Sequence, residues 1–233
     1  MNKKTFYGIF IAVVLIGFFI FLSYSLNKNR AGVLESVIDG DTIKIRFPSG
    51  KIEVVRLLSI NAPEKDMPYY DGAKNYLLAL KGKEIIIETH GEDKYGRILA
   101  YLLYNNRLIN EELLRQGLVH LYIFSEDRYT DLLESAEIEA RIGNRGIWEK
   151  STRKEDKCLD ITKNNQEVII NNICDFTVLL DDYTLKDEGR TLLYMGKNVG
   201  AKTSISVDIS DFDYPSSIFF RNPKGKLVSF YRD

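Results

Sequence analysis

The sequence predicts a mainly β protein with α-helices, built in two folded parts. Three observations predict it. Short, β-branched, alternating runs separated by Gly, Pro and Asn turns recur through most of the chain after residue 31. Apolar residues at helical spacing are confined to the stretches after the third and fifth of these runs. A stretch dense in charge and poor in apolar residues, 149–157, then divides the chain. A length of 233 residues leaves room for one or two domains.

Residues 33–38, 42–47 and 52–60 read as three strands, with Pro48-Ser49-Gly50 as the turn between the second and third. Ala73, Tyr76, Leu77 and Leu80 then recur at helical spacing, and Gly82 is a stop signal. Residues 84–89 and 98–104 read as two further strands around a polar turn at 91–96. Asn110 is expected to cap a short helix whose first turn holds Glu111 and Glu112 and whose end is Gly117. Tyr129, Leu133, Ala136 and Ala140 mark one face of a longer helix, with Ile147 and Trp148 docking its far end. Five strands, a helix after the third and helices at the end fit a five-stranded Greek-key barrel of the OB type with about three helices. Short strand-like runs at 167–171, 177–180, 191–195, 204–209, 217–221 and 226–231 imply an all-β sandwich, with Asn222-Pro223-Lys224-Gly225 as a hairpin turn. The expected organisation is 1–30 as anchor or signal segment, 31–149 as barrel, 150–160 as linker and 161–233 as sandwich.

Lys3 and Lys4 precede an apolar run over 6–26, long enough to cross a bilayer as a helix of roughly 20 residues. An uncleaved transmembrane anchor is the reading adopted. A cleaved signal peptide, with Ser23-Tyr24-Ser25 as a weak processing signal, is its rival. Either one puts the rest of the chain outside the cytoplasm, membrane-anchored or secreted. Cys158 and Cys174 are then either a disulfide closing a short loop or two free thiols. Neither His90 nor His120 lies at zinc-finger spacing from them.

The chain has a net charge of −1, and 31–148 carries a small excess of acids. Any grip on nucleic acid must therefore rest on local positive charge and not on bulk attraction. Asp41, Arg56, Glu64 and Arg97 suit such a site. Arginine offers a planar fork that bonds two phosphate oxygens and stays charged. Two arginines from different strands can clamp a phosphoryl group, and a carboxylate such as Glu64 can take a proton from water. Asp41, with oxygens near Asn61 and Ala62, suits a hard cation, and calcium accepts such mixed oxygen ligands. Each residue also has an ordinary reading: Asp41 as a turn residue after Asp39-Gly40, Arg56 as the partner of an acid such as Glu84, Glu64 and Arg97 as solvated loop residues.

Read with their neighbours, the residues are more specific. Val37-Ile38-Asp39-Gly40-Asp41-Thr42, Val55-Arg56-Leu57-Leu58 with Ala62-Pro63-Glu64, Asp93-Lys94-Tyr95-Gly96-Arg97 with Leu99-Ala100-Tyr101, and Asn110-Glu111-Glu112-Leu113-Leu114-Arg115-Gln116-Gly117-Leu118 resemble the staphylococcal nuclease family in order and spacing. The resemblance runs from about residue 32 to 148. It implies a calcium-dependent endonuclease that cuts DNA and RNA with little sequence preference and leaves 3′-phosphates. By motif match, Arg56, Glu64 and Arg97 take the catalytic positions. Asp41, Asn61 and the Ala62 carbonyl take the metal positions, and Lys94 and Tyr95 contact the substrate's terminal phosphate. Tyr122 and Phe124 stand near where the family stacks nucleotides, with barrel core as the expected role of at least one of them. Two departures stand out. The family usually has Asp at the position of Asn61, so weaker calcium binding is implied, and the loop after Glu64 looks shorter.

In the tail, Asp182-Tyr183-Thr184-Leu185-Lys186-Asp187-Glu188-Gly189 and Asn222-Pro223-Lys224-Gly225-Lys226-Leu227-Val228 resemble a lamin-tail domain, an immunoglobulin-like sandwich. This implies an accessory module, adhesive or substrate-tethering, with no catalytic residues. The expected protein is a monomeric phosphodiesterase with DNA and RNA as substrates and the membrane as a further partner. The alternatives are an inactive barrel that binds nucleic acid or protein, and a surface adhesin whose sandwich is the working part.

Overall fold

The structure is a computed structural model and describes residues 14–17, 29–187, 191–212 and 217–232. The apolar run at 6–26 lies outside the described residues except for 14–17, which form a helical turn. Among the described residues no helix is long and apolar enough to cross a membrane.

The first seven strands are β1 (Asn29–Val37), β2 (Thr42–Arg46), β3 (Ile52–Leu57), β4 (Ile60–Asn61), β5 (Glu84–Glu92), β6 (Ile98–Tyr104) and β7 (Arg107–Leu108). The main sheet runs β3-β2-β1-β5-β6-β7, and a further parallel pairing of β3 with β6 closes five of these strands into a barrel. Closure removes the free edges that an open sheet would expose. Alternate residues, among them Leu34, Ile43, Ile45, Val55, Ile85, Ile87 and Ala100, point inward and are fully buried.

The expected strand 52–60 breaks in two. β3 ends at Leu57, Ser59 takes a left-handed conformation (φ 57°), and β4 leaves to pair with β8 (His120–Leu121). Leu57-Leu58-Ser59-Ile60 contains no Gly or Pro, so nothing in the sequence marks this break.

Three α-helices cover the barrel: α1 (Tyr70–Leu78), α2 (Ile109–Arg115) and α3 (Thr130–Ile142). Asn110 does not cap α2, whose N-cap is Leu108. Its side chain is fully buried and instead joins two barrel segments, accepting the Leu102 N–H at 3.1 Å and donating to the Leu58 carbonyl at 2.8 Å. Buried where no water reaches, an Asn amide must satisfy both its ends, and these two backbone groups do so. Gly117 does end its turn, in the left-handed region (φ 68°), where an added Cβ would lie 2.1 Å from the Arg145 carbonyl oxygen.

The second part holds β9 (Leu159–Asn164), β10 (Glu167–Asn172), β11 (Val178–Leu179), β12 (Thr184–Lys186), β13 (Leu192–Tyr194), β14 (Asn198–Val199), β15 (Ser204–Asp208), β16 (Ser217–Arg221) and β17 (Leu227–Arg232). Sheets β15-β10-β9 and β13-β12-β16-β17, with the small pair β11-β14, enclose one core containing Ile161, Ile170, Leu185, Ile218 and Phe220. Cys158 and Cys174 form a disulfide, with Cα atoms 5.3 Å apart.

Residues 149–157 are held against this second part. The Ser151 N–H donates to the Leu227 carbonyl at 2.8 Å, and the Leu227 N–H donates to the Glu149 carbonyl at 2.9 Å. Asp156 is buried and accepts from Tyr183 Oη, Ser151 Oγ and Asn222 Nδ2. A separate apolar cluster joins the two parts: Ala140, Ile147 and Trp148 from the barrel side meet Phe219 and Leu227 from the sheet side.

Candidate active site

The site starts at the β1–β2 turn. Asp39 caps it, its Oδ1 accepting the Asp41 N–H at 3.1 Å. Asp41 is thereby free of capping duty and turns inward, with 7% of its surface exposed. Its Oδ2 accepts the Ala62 N–H at 2.8 Å, and its Oδ1 accepts from Thr42 Oγ1 at 2.9 Å and meets Arg56 Nε at 3.2 Å. Gly40 makes this approach feasible. A Cβ there would lie 2.6 Å from Ala62 Cβ and 2.7 Å from Ala73 Cβ. Burial pushes the Asp41 carboxyl up to about 6, against the pull of the Arg56 guanidinium.

Arg56 projects from β3 and is tied to its own chain. Nη1 donates to the Leu57 carbonyl at 2.6 Å and the Ile60 carbonyl at 2.9 Å, and Nη2 reaches Asn61 Oδ1 at 3.4 Å. It is the partner of Asp41, not of Glu84. Its bonds to the carbonyls on either side of the Ser59 turn lock the break between β3 and β4.

Arg97 arrives from the other side of the barrel seam. The parallel register pairs Arg56 with Leu99, two residues beyond Arg97. Since Ile98 and Ala100 are buried in the barrel, alternation places Arg97, Leu99 and Arg56 on the same outer face. Asp93 organises the turn that carries Arg97. Its Oδ1 accepts the N–H groups of Tyr95 (2.9 Å) and Arg97 (3.0 Å), and its Oδ2 accepts Arg97 Nε at 2.7 Å. Gly96 supplies the positive φ (75°) that this turn requires. Tyr95 is 72% exposed, with Lys94 Nζ 5.1 Å and the Arg97 guanidinium 5.6 Å from its ring centre.

Glu64 is exposed, and its carbonyl accepts the Met67 N–H at 3.0 Å in the turn that leads to α1. Asn61 lies in β4 opposite His120, and Ala62 follows it, buried. Tyr122 is half-buried, its N–H donating to the Ser59 carbonyl at 3.0 Å, whereas Phe124 is 91% exposed. Asp41, Arg56, Asn61 and Ala62 thus form one bonded cluster. Arg97 shares the face of Arg56, with Lys94 and Tyr95 beside it, and Glu64 stands two residues beyond Ala62.

Among the described residues no group of three or more His, Cys, Asp or Glu converges on a point. Asp41 Oδ1 and Asn61 Oδ1 both face the Arg56 guanidinium, at Nε and Nη2. A carboxylate, an amide and a nearby backbone carbonyl are hard donors of the class calcium takes. These donors fit a hard cation, with a single carboxylate among them.

From the sequence, Asp93, Gly40 and His120 carried no assigned role in the site. For Asp93 the signal was present in Asp93-Lys94-Tyr95-Gly96, a turn opening on Asp and closing on Gly. His120 carried none.

A closed five-stranded barrel of the OB type, with two arginines on the outer face of its β3–β6 seam and a buried carboxylate beside one of them, defines the class of this protein. The chain belongs to the staphylococcal nuclease family. Residues 54–150 match the family described as "Staphylococcal nuclease homologue". The thermonuclease of Staphylococcus intermedius is 33% identical over 133 residues, a match covering 53% of this chain and 79% of that protein. Two Bacillus subtilis proteins, the SPbeta prophage-derived endonuclease YokF and the endonuclease YncB, are 34% and 35% identical over 130 residues. The chain spans 44% and 61% of their lengths, about half of these relatives.

Proposed function

We propose that this protein is a metal-assisted endonuclease, calcium-dependent, which hydrolyses DNA and RNA with little sequence preference and leaves 3′-phosphates. The observation that carries the reading is the β3–β6 register, which puts Arg56 and Arg97 on one face beside the Asp41 cluster. The endonucleases and the thermonuclease among its relatives support it.

In this reading Arg97 and Arg56 bind the scissile phosphate and stabilise the charge that grows on its oxygens. Preplaced donors of this kind supply several kcal/mol each. Glu64, on the solvent side, orients and deprotonates the attacking water. Lys94 and Tyr95 hold the neighbouring phosphate from the exposed turn, and Tyr122 lies near the base. Asp41, Asn61 and the Ala62 carbonyl would hold the calcium, which supplies charge neutralisation at the phosphate. Recognition through phosphate and stacking carries little sequence information, which is the basis for expecting broad substrate use.

An extracytoplasmic location belongs to the same reading. The apolar run at 6–26 and the Cys158–Cys174 bridge support it, since disulfides persist in oxidising compartments. The lamin-tail resemblance stands beside it as a reading of the second part, supported by two sheets around one core.

The test is digestion of plasmid DNA and of RNA by the purified chain with calcium, with magnesium and with chelator. Cutting with calcium alone, and 3′-phosphate ends on the products, is the expected result. Intact substrates in every condition would sink the reading.

A further inference from the structure

The loop from Asn61 to Tyr69 carries the amide, the carbonyl and the carboxylate of the candidate site, and it is gripped at both ends by the second part of the molecule. At its start, Asn61 pairs with His120, and the His120 ring lies 4.2 Å from the Phe219 ring of β16, centre to centre. At its end, the β16–β17 hairpin turn lies directly on Pro68. A Cβ added to Gly225 would stand 2.4 Å from Pro68 Cβ and 2.5 Å from Pro68 Cγ. Next to it, Tyr69 sits under two cations of the same hairpin, with Arg221 and Lys226 6.0 Å and 5.7 Å from its ring centre.

The loop between these grips is strained. Asp66 (φ 70°) and Tyr69 (φ 71°) are both left-handed without being glycine. Such a residue costs about 1–2 kcal/mol and persists only where its surroundings over-determine it. The interface packed against Tyr69 is built like a domain core, with Trp148, Phe219 and Leu227 buried together. Glu137, 1% exposed, adds an ion pair to Arg232 of β17 at 2.5 Å.

We propose that the C-terminal β part is an integral wall of the active centre, in which Gly225, Phe219 and His120 are positioning residues that set the Asn61–Tyr69 loop and hence the placement of Glu64. The proposal rests on the nuclease reading for its effect on turnover, and on packing alone for its effect on the loop. It replaces the expectation of a separable tethering module.

The test uses Gly225→Asn in the full chain. Asparagine tolerates the positive φ of this turn (74°), so the added Cβ against Pro68 is the main perturbation. Gly50→Asn is the control: the same change at a turn glycine (φ 84°) with nothing within 4 Å of its Cβ. Two quantities are read, kcat against KM on DNA and amide hydrogen exchange over residues 61–70, with thermal unfolding as the check on folding. Displacing a catalytic group by about 1 Å costs up to roughly 100-fold in rate. Gly225→Asn is therefore expected to lower kcat roughly 10- to 100-fold with little change in KM and to speed exchange in the loop. Gly50→Asn should change neither.

Equal kcat and equal exchange in Gly225→Asn and Gly50→Asn would overturn the proposal. If the wild-type chain cuts nothing, the nuclease reading fails and exchange alone decides: faster loop exchange in Gly225→Asn upholds the wall, unchanged exchange overturns it. Should Gly225→Asn lose its folding transition, Phe219→Leu, which replaces the ring beside His120 with a smaller apolar side chain, is judged by the same two readouts.

Discussion

Arg56 and Arg97 stand on one face of one seam, yet they are held in opposite ways. Arg56 is bonded to two backbone carbonyls, to Asp41 and to Asn61, and its side chain is 16% exposed. Arg97 is bonded through its side chain to Asp93, lies over the exposed Tyr95 ring, and is 31% exposed. The first arginine has a structural duty: it locks the β3–β4 break and offsets a buried carboxylate. The second rides on a turn that Asp93 would keep even without it, since two backbone N–H groups hold that carboxylate in place. A site can thus place one cation by embedding it and another by presenting it.

The largest effect expected is at Arg56. Arg56→Ala leaves Asp41 buried without its cation and two carbonyls without their donor. It should abolish cutting and cost about 3–5 kcal/mol of stability, the range for removing one partner of a buried pair. Denaturant unfolding measures the second quantity, and a stability loss below about 1 kcal/mol would show that Asp41 is not held by this arginine. Next comes Arg97→Ala, expected to lower kcat about 100- to 1,000-fold, as for other single transition-state donors. Its unfolding free energy should move by no more than about 1 kcal/mol, since the pair to Asp93 is open to solvent on one side and its carboxylate keeps its two backbone donors. Near-normal turnover, or a stability loss like that of Arg56→Ala, would erase the contrast.

The smallest effect lies in pH. Burial between the two parts holds His120 neutral, its pKa well below the ordinary imidazole value of 6.5. An unfolded His120 therefore takes up a proton that the folded one refuses. The stability this provides is present above about pH 6.5 and drains away as pH falls, by at most about 1.4 kcal/mol per pH unit for one proton. Asp41, raised to about 6, works in the opposite direction: its contribution is full below pH 4 and fades as pH rises to 6. His120→Leu should remove only the first dependence. The stability difference between wild type and His120→Leu should then shift toward the variant as pH drops from 7 to 5. A pH-independent difference would place His120 outside the titrating set.

Much of the barrel was legible because its residues obey local rules. Alternation marked β2 and β6, the helical spacing of Leu133, Ala136 and Ala140 marked α3, and Asp-Gly and Pro-Ser-Gly marked turns. The site residues were legible as motifs. Their partners were not. Asn110 reads as a helix cap by its position but is a buried bridge, because only the tertiary fold brings Leu58 and Leu102 to its amide. The β3–β4 break was invisible because its cause is the Arg56 side chain and not a turn residue. The stretch 149–157 reads as a linker by its charge, yet Asp156 is buried in it, satisfied by Tyr183, Ser151 and Asn222 from afar.

By itself the sequence determined most of the barrel's strands and helices, the apolar face of each, and the short charged motifs that resemble the family's. Periodicity, turn residues and short motifs are local, so a linear reading recovers them. Only the tertiary structure decided that Arg56 and Arg97 share a face, that Asp41 points inward, and that Gly225 lies on Pro68. Those facts depend on strand register, on burial and on contacts between residues more than a hundred positions apart. No local rule encodes such contacts, because each exists only when the rest of the core has closed around it.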